Sequence, residues 1–155
     1  PSGPLRESLK SLKNADIVLI NGKKNENFEK RILEINSNLK IFYSHYKPLN
    51  IEWFKNKELV ALAGIGNPKN FFGLLRRLNF NIKDEMIYPD HYVFSDEGIK
   101  KILKKAESND YHIIMTEKDY FKFKNIRSNR VNYLKVSLEI EQHEKFMDLV
   151  NKCYA

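Results

Sequence analysis

Cysteine is nearly absent from this chain: Cys153 is the only one in 155 residues. A single thiol excludes an intrachain disulfide, and no Cys/His cluster carries zinc-ligand spacing. A reducing cytoplasmic compartment fits that composition. Long apolar runs are missing too. The cleanest are Ile17-Val18-Leu19-Ile20 and Leu59-Val60-Ala61-Leu62-Ala63, far short of the roughly 18 residues of a membrane-spanning helix. The opening Pro1-Ser2-Gly3-Pro4 lacks the basic-then-apolar order of a signal peptide. No G-x-x-x-x-G-K-[ST] occurs anywhere in the chain, so the loop that cradles nucleotide phosphates in P-loop enzymes is not among these residues.

Arginine is scarce, with 6 against 21 lysines, while asparagine occurs 17 times. The net charge of +7 raises the question of an anionic partner. Nucleic-acid readers lean on arginine and interleave aromatics with their basic residues. This lysine- and asparagine-rich pattern is what an AT-rich genome gives to any surface, so no nucleic-acid partner is expected. Lys100, Lys101, Lys104 and Lys105 cluster on one predicted helix, which reads as a solvated face.

What is present is a globular composition, 42% apolar and 30% charged, with helical and strand patterns in alternation. The fold class expected is α/β, with parallel-sheet α/β/α lobes. Pro4 suits the first turn of a helix carrying Leu5, Leu9 and Leu12 on one face. Ile17–Ile20 reads as a central strand buried on both faces, and Phe28, Ile32 and Ile35 mark a helix. The aromatic run Ile41–Tyr46, broken by Pro48, reads as an extended linker over 39–57 between a lobe at 1–38 and a second at 58–155. Leu59–Ala63 and His112–Met115 are predicted central parallel strands. Pro68 opens a helix with Phe71, Leu74, Leu75 and Leu78 on one face. Ser95 is a predicted N-cap for a helix with Ile99, Ile102, Leu103 and Ala106 on its core side. Val131–Leu138 reads as a last strand. Phe146, Leu149, Val150 and Cys153 line a final helix, which has the option of packing back on the first lobe.

Four short stretches carry candidate chemistry. Pro89-Asp90-His91-Tyr92 places a carboxylate beside an imidazole just after a predicted strand, where open α/β folds hold reactive groups. Alone, such a pair is more often a solvated turn than a catalytic site. Gly64-Ile65-Gly66-Asn67-Pro68 lacks the third glycine of a dinucleotide fingerprint, since Lys69 stands there. Its glycines read as supplying a φ > 0 turn and close backbone approach, and the helix start beyond Asn67 can face an anion. Thr116-Glu117-Lys118-Asp119 fits a capping motif, with Lys118 free to meet phosphate or a lipid headgroup. Arg6-Glu7 fits a surface ion pair. His112, in an apolar strand, reads as a satisfied core or edge histidine.

In this order and at these separations, Gly3-Pro4-Leu5-Arg6-Glu7, Ala63–Pro68 with Phe71-Phe72, Pro89–Tyr92 and Thr116–Asp119 resemble the C-terminal half of the tetraacyldisaccharide 4′-kinase family. The resemblance runs from Gly3 to about Val136. It implies the C-terminal half of a P-loop-type two-lobe kinase, its lobes joined by an extended β linker. The implied reaction moves the γ-phosphoryl of ATP, with Mg²⁺, to the 4′-hydroxyl of a tetraacyldisaccharide 1-phosphate in lipid A biosynthesis. Peripheral contact with the cytoplasmic face of the inner membrane is implied as well. His91 would be catalytic, reaching toward an acidic base on the P-loop lobe, with Asp90 fixing its imidazole tautomer. Arg6 and Glu7 would hold phosphate oxygens and help position Mg²⁺, Glu7 indirectly. Lys118 and Asn67 are weaker site candidates. On this reading the chain is a fragment, inactive alone. The rival class is a non-enzymatic basic α/β module binding nucleotide or nucleic acid.

Overall fold

The computed structural model describes residues 7–123 and 128–153. The chain divides into two compact units, residues 1–47 with 137–155, and residues 48–136.

In the first unit a 3-10 helix spans Leu9–Asn14, capped by Ser8. Of the helix expected to open at Pro4, Leu9 and Leu12 fall in this 3-10 turn, while Pro4 and Leu5 lie outside the described residues. Strand β1 (Ile17–Asn21) and helix α1 (Glu26–Ile35) follow, and Asn25 Oδ1 caps α1 by accepting from Phe28 N at 3.0 Å. Strand β2 (Lys40–Pro48) pairs in parallel with β1, from Ile17↔Lys40 to Asn21↔Ser44. The run expected as a linker is therefore, through Pro48, the middle strand of a sheet ordered β1-β2-β7. Its burial explains this: Phe42, Tyr43 and Ser44 are buried in succession. Strand β1, expected to be central, is an edge strand with Leu19 at 37% exposure. Strand β7 (Val136–Ile140) and helix α5 (His143–Cys153) complete the unit, with Phe146 edge-on to Phe42 at 5.3 Å.

The second unit is a four-stranded sheet in the order β4-β3-β5-β6, all pairs parallel. Strands β3 (Glu58–Ala63) and β5 (His112–Met115) are central, as their apolar runs predict. Strands β4 (Asn81–Ile87) and β6 (Val131–Tyr133) flank them. Alternation of side chains splits the core in two. Leu59, Ala61, Ala63 and Ile114 pack with Phe71, Phe72 and Leu75 of helix α2 (Pro68–Arg77). Leu62, Ile113 and Met115 pack with Ile99, Ile102 and Ala106 of helix α3 (Asp96–Ser108). Helices on both faces of a parallel sheet make this a doubly wound α/β unit.

The single strand expected over Val131–Leu138 is two. After β6, Leu134 N still donates to Met115 O, and the chain then leaves the sheet. Asn50 fixes the break, donating through Nδ2 to Tyr133 O at 2.9 Å and accepting from Lys135 N at 2.8 Å.

Candidate functional site at the strand ends of the second unit

Because the sheet is parallel, the loops after β3, β4 and β5 emerge at one edge. The chain steps from β3 to β4 on one side and returns across β3 to β5 on the other. Loops leaving neighbouring strands in opposite senses open a crevice at the carboxyl edge, the usual ligand position of such sheets. Three of the four stretches singled out in the sequence stand there.

The loop after β4 carries Asp90 and His91. Pro89 O accepts from Tyr92 N at 3.1 Å, closing a turn with His91 at φ 60°. A non-glycine residue in the left-handed region costs about 1 kcal/mol or more, a strain found at functional sites. The imidazole is 81% exposed. Asp90 Oδ1 accepts from His91 N at 2.9 Å and from Lys118 Nζ at 3.0 Å. His91 Nε2 stands 3.8 Å from Asp90 Oδ2, beyond hydrogen-bond reach. Asp90 thus holds the backbone of His91, not the tautomer of its ring as expected. The Lys118 ammonium, with the His91 amide and imidazole, holds the Asp90 carboxyl below its ordinary range.

The loop after β3 presses against this turn. A Cβ on Gly64 would lie 3.1 Å from Asp119 Oδ1 and 3.5 Å from Pro89 O, and one on Gly66 would lie 3.3 Å from Asp90 Oδ2. Neither glycine has a positive φ; Gly22 alone does among the described glycines. Close approach, and not the φ > 0 turn also expected, is what these two positions require. Asn67 is the exposed N-cap of α2 and makes no side-chain cap.

After β5, Thr116 caps the short helix α4 (Glu117–Tyr120), its Oγ1 accepting from Asp119 N at 3.2 Å. Lys118 reaches outward to Asp90, while Asp119 turns inward and is fully buried. Its Oδ2 accepts from Gly64 N at 2.9 Å and from the Thr116 hydroxyl at 2.7 Å. Lys122 Nζ donates to Asp119 Oδ1 at 2.8 Å and to Gly64 O at 3.0 Å. The sequence pattern gives Asp119 only a capping role and leaves Lys122 without one, because a Thr with an acidic residue three positions on reads as a local cap.

Glu7 lies in the first unit, exposed, just ahead of the 3-10 helix. Arg6 lies outside the described residues. His112 departs from expectation: its Nδ1 is buried with no partner among the described residues, and its ring packs edge-on to Trp53 at 5.6 Å. The lysine cluster on α3 is exposed, with Lys105 paired to Asp84 at 2.7 Å. No described helix is long and apolar enough to cross a membrane.

A parallel sheet with helices on both faces and charged loops converging at its carboxyl edge defines an open α/β protein. The family model for Tetraacyldisaccharide-1-P 4'-kinase matches residues 1–155, and the chain belongs to that family. It is 37% identical to the tetraacyldisaccharide 4'-kinase of Pelagibacter ubique, over 98% of this chain and 48% of that protein. The corresponding kinase of Rickettsia akari is 34% identical, over 98% of this chain and 45% of the relative. The chain thus spans about half the length of the curated relatives it matches. A crystal structure of the Aquifex aeolicus enzyme in complex with ATP shares the fold, with a TM-score of 0.65 at 24% identity, covering 100% of this chain and 48% of that one.

Proposed function

We propose that this chain forms the C-terminal half of a tetraacyldisaccharide 4′-kinase, which transfers the γ-phosphoryl of ATP to the 4′-hydroxyl of a tetraacyldisaccharide 1-phosphate in lipid A biosynthesis. Membership of the family carries the reading. In support of a site role, the Asp90-His91 turn stands exposed at the carboxyl edge of a parallel sheet. Three convergent His, Cys, Asp or Glu side chains are not found among the described residues, and no P-loop motif occurs in the sequence. The described residues thus carry neither of these two signatures of an ATP or Mg²⁺ cradle. Both belong, on this reading, to the P-loop half, with Arg6 and Glu7 in support, and the chain alone is inactive. Contact with the cytoplasmic face of the inner membrane is peripheral.

The part left to this chain is proton handling and positioning, which phosphoryl transfer needs more than covalent chemistry. The exposed imidazole of His91 exchanges a proton with the group that activates the sugar hydroxyl. Asp90, kept ionised by Lys118, fixes the turn that presents it. In the full-length kinase His91→Ala is expected to lower kcat by roughly 10²–10⁴-fold. Turnover near wild type at saturating ATP and lipid returns His91 to a plain turn residue.

A further inference from the structure

Buried carboxylates are costly unless charge-paired and fully hydrogen-bonded, so a wholly buried aspartate needs a reason beyond a helix cap. Asp119 is 0% exposed. The cap of α4 is already made by Thr116 Oγ1 accepting from Asp119 N, and it needs no carboxylate. The carboxylate does more than meet its own cap: Oδ2 accepts from the Thr116 hydroxyl and also from Gly64 N, 55 positions away in the chain, and Oδ1 accepts from Lys122, which in turn holds Gly64 O. Both backbone polar groups of Gly64 are thus held by one ion pair. Gly64 also abuts Pro89 O, and Gly66 abuts Asp90 Oδ2. The neighbouring Lys118 holds Asp90 directly at 3.0 Å.

The geometry points to α4 as a two-sided clamp on the strand ends. Asp119, with Lys122, is a positioning residue that fixes the loop after β3 as a floor beneath the Asp90-His91 turn, while Lys118 ties that turn from outside. Adjacent residues on a helix point about 100° apart, which is why Lys118 and Asp119 reach different loops. The clamp touches no reacting group. It sets where the His91 imidazole stands, and a misplacement of about 1 Å can cost roughly 100-fold in rate.

The clamp rests on the proposed role of His91, so its test carries one readout independent of turnover. In the full-length protein, Asp119→Asn keeps an acceptor for Gly64 N but turns an NH₂ toward the Lys122 ammonium. The imidazole ¹⁵N resonances of His91 are expected to shift in this variant, and kcat to fall roughly 10–100-fold with KM for ATP unchanged. In the double variant with His91→Ala, kcat should be no lower than in His91→Ala alone, because both changes remove one function. Unmoved His91 resonances, or losses that multiply in the double variant, overturn the clamp. Shifted resonances with His91→Ala at normal turnover leave the clamp standing and overturn the kinase reading of the site. Should Asp119→Asn not fold, Lys122→Met, which breaks the ion pair from its other side and also frees Gly64 O, carries the same comparison.

Discussion

His112 opens β5 with its ring against Trp53 and its Nδ1 buried without a partner among the described residues. Burial pushes its pKa down, and the nearby Lys57 and Arg130 add to the fall, partly opposed by Asp110. Lys57 itself sits over the Trp53 ring at 3.4 Å, with burial lowering its pKa as well. A histidine whose folded pKa lies below its unfolded value of about 6.5 binds fewer protons in the folded state. Stability is then full above that unfolded value and declines as pH falls through it toward the folded one. The urea midpoint should drop between pH 7.5 and 5.5, and His112→Leu should flatten that part of the dependence. An unchanged slope in the variant assigns the acid sensitivity to other groups. The motif containing His91 was visible in the sequence because its residue types advertise proton chemistry. The reach of Asp119 was not, because its partner Gly64 lies 55 positions upstream and a local capping pattern already gives an acidic residue at that position a reason to be there.

Helix α3 shows how much of an element a sequence can specify. Ser95 caps it as expected, Oγ accepting from Gly98 N at 3.1 Å, and Asp96 and Glu97 fill the first turn. Ile99, Ile102 and Ala106 are buried at helical spacing. Each of these signals is local. Ser95→Ala should cost about 1 kcal/mol, read as a Tm decrease of roughly 2–4 °C for a chain of this size. A loss below a few tenths of a kcal/mol would mean the helix start is fixed by packing and not by its cap. Elements decided by distant pairing were less legible. The aromatic run within the extended linker expected over 39–57 is extended as read, but its pairing with Ile17–Asn21, which makes Lys40–Pro48 a middle strand, is not visible in the run itself. The split of Val131–Leu138 depends on Asn50, some 83 positions away from Tyr133, and no periodicity reports it.

Burial is shared unequally between the two units. Among the described residues the buried apolar side chains of the first are Ile32, Leu39, Phe42 and Tyr43, and all the others belong to residues 48–136. Hydrophobic burial is the dominant favourable term in folding, at roughly 25 cal/mol per Å², so the units should differ in resistance to opening. Leu59–Ala63 and Ile113–Met115 are at most 2% exposed and pair with strands on both sides. Their amides should exchange with solvent only through global unfolding of the second unit. In the first unit, β1 is a sheet edge, and α5 has no residue classed as buried, Phe146 being only partly so. Amides of β1 and α5 should therefore exchange earlier, by openings that leave β3 and β5 protected. Native-state hydrogen exchange across low denaturant concentrations separates the cases. Two families of opening free energy, the larger on β3 and β5, are expected. A single isotherm shared by α5 and β5 would show that the two units open as one, and that the sparse core of the first unit draws its stability from contacts beyond its own buried side chains.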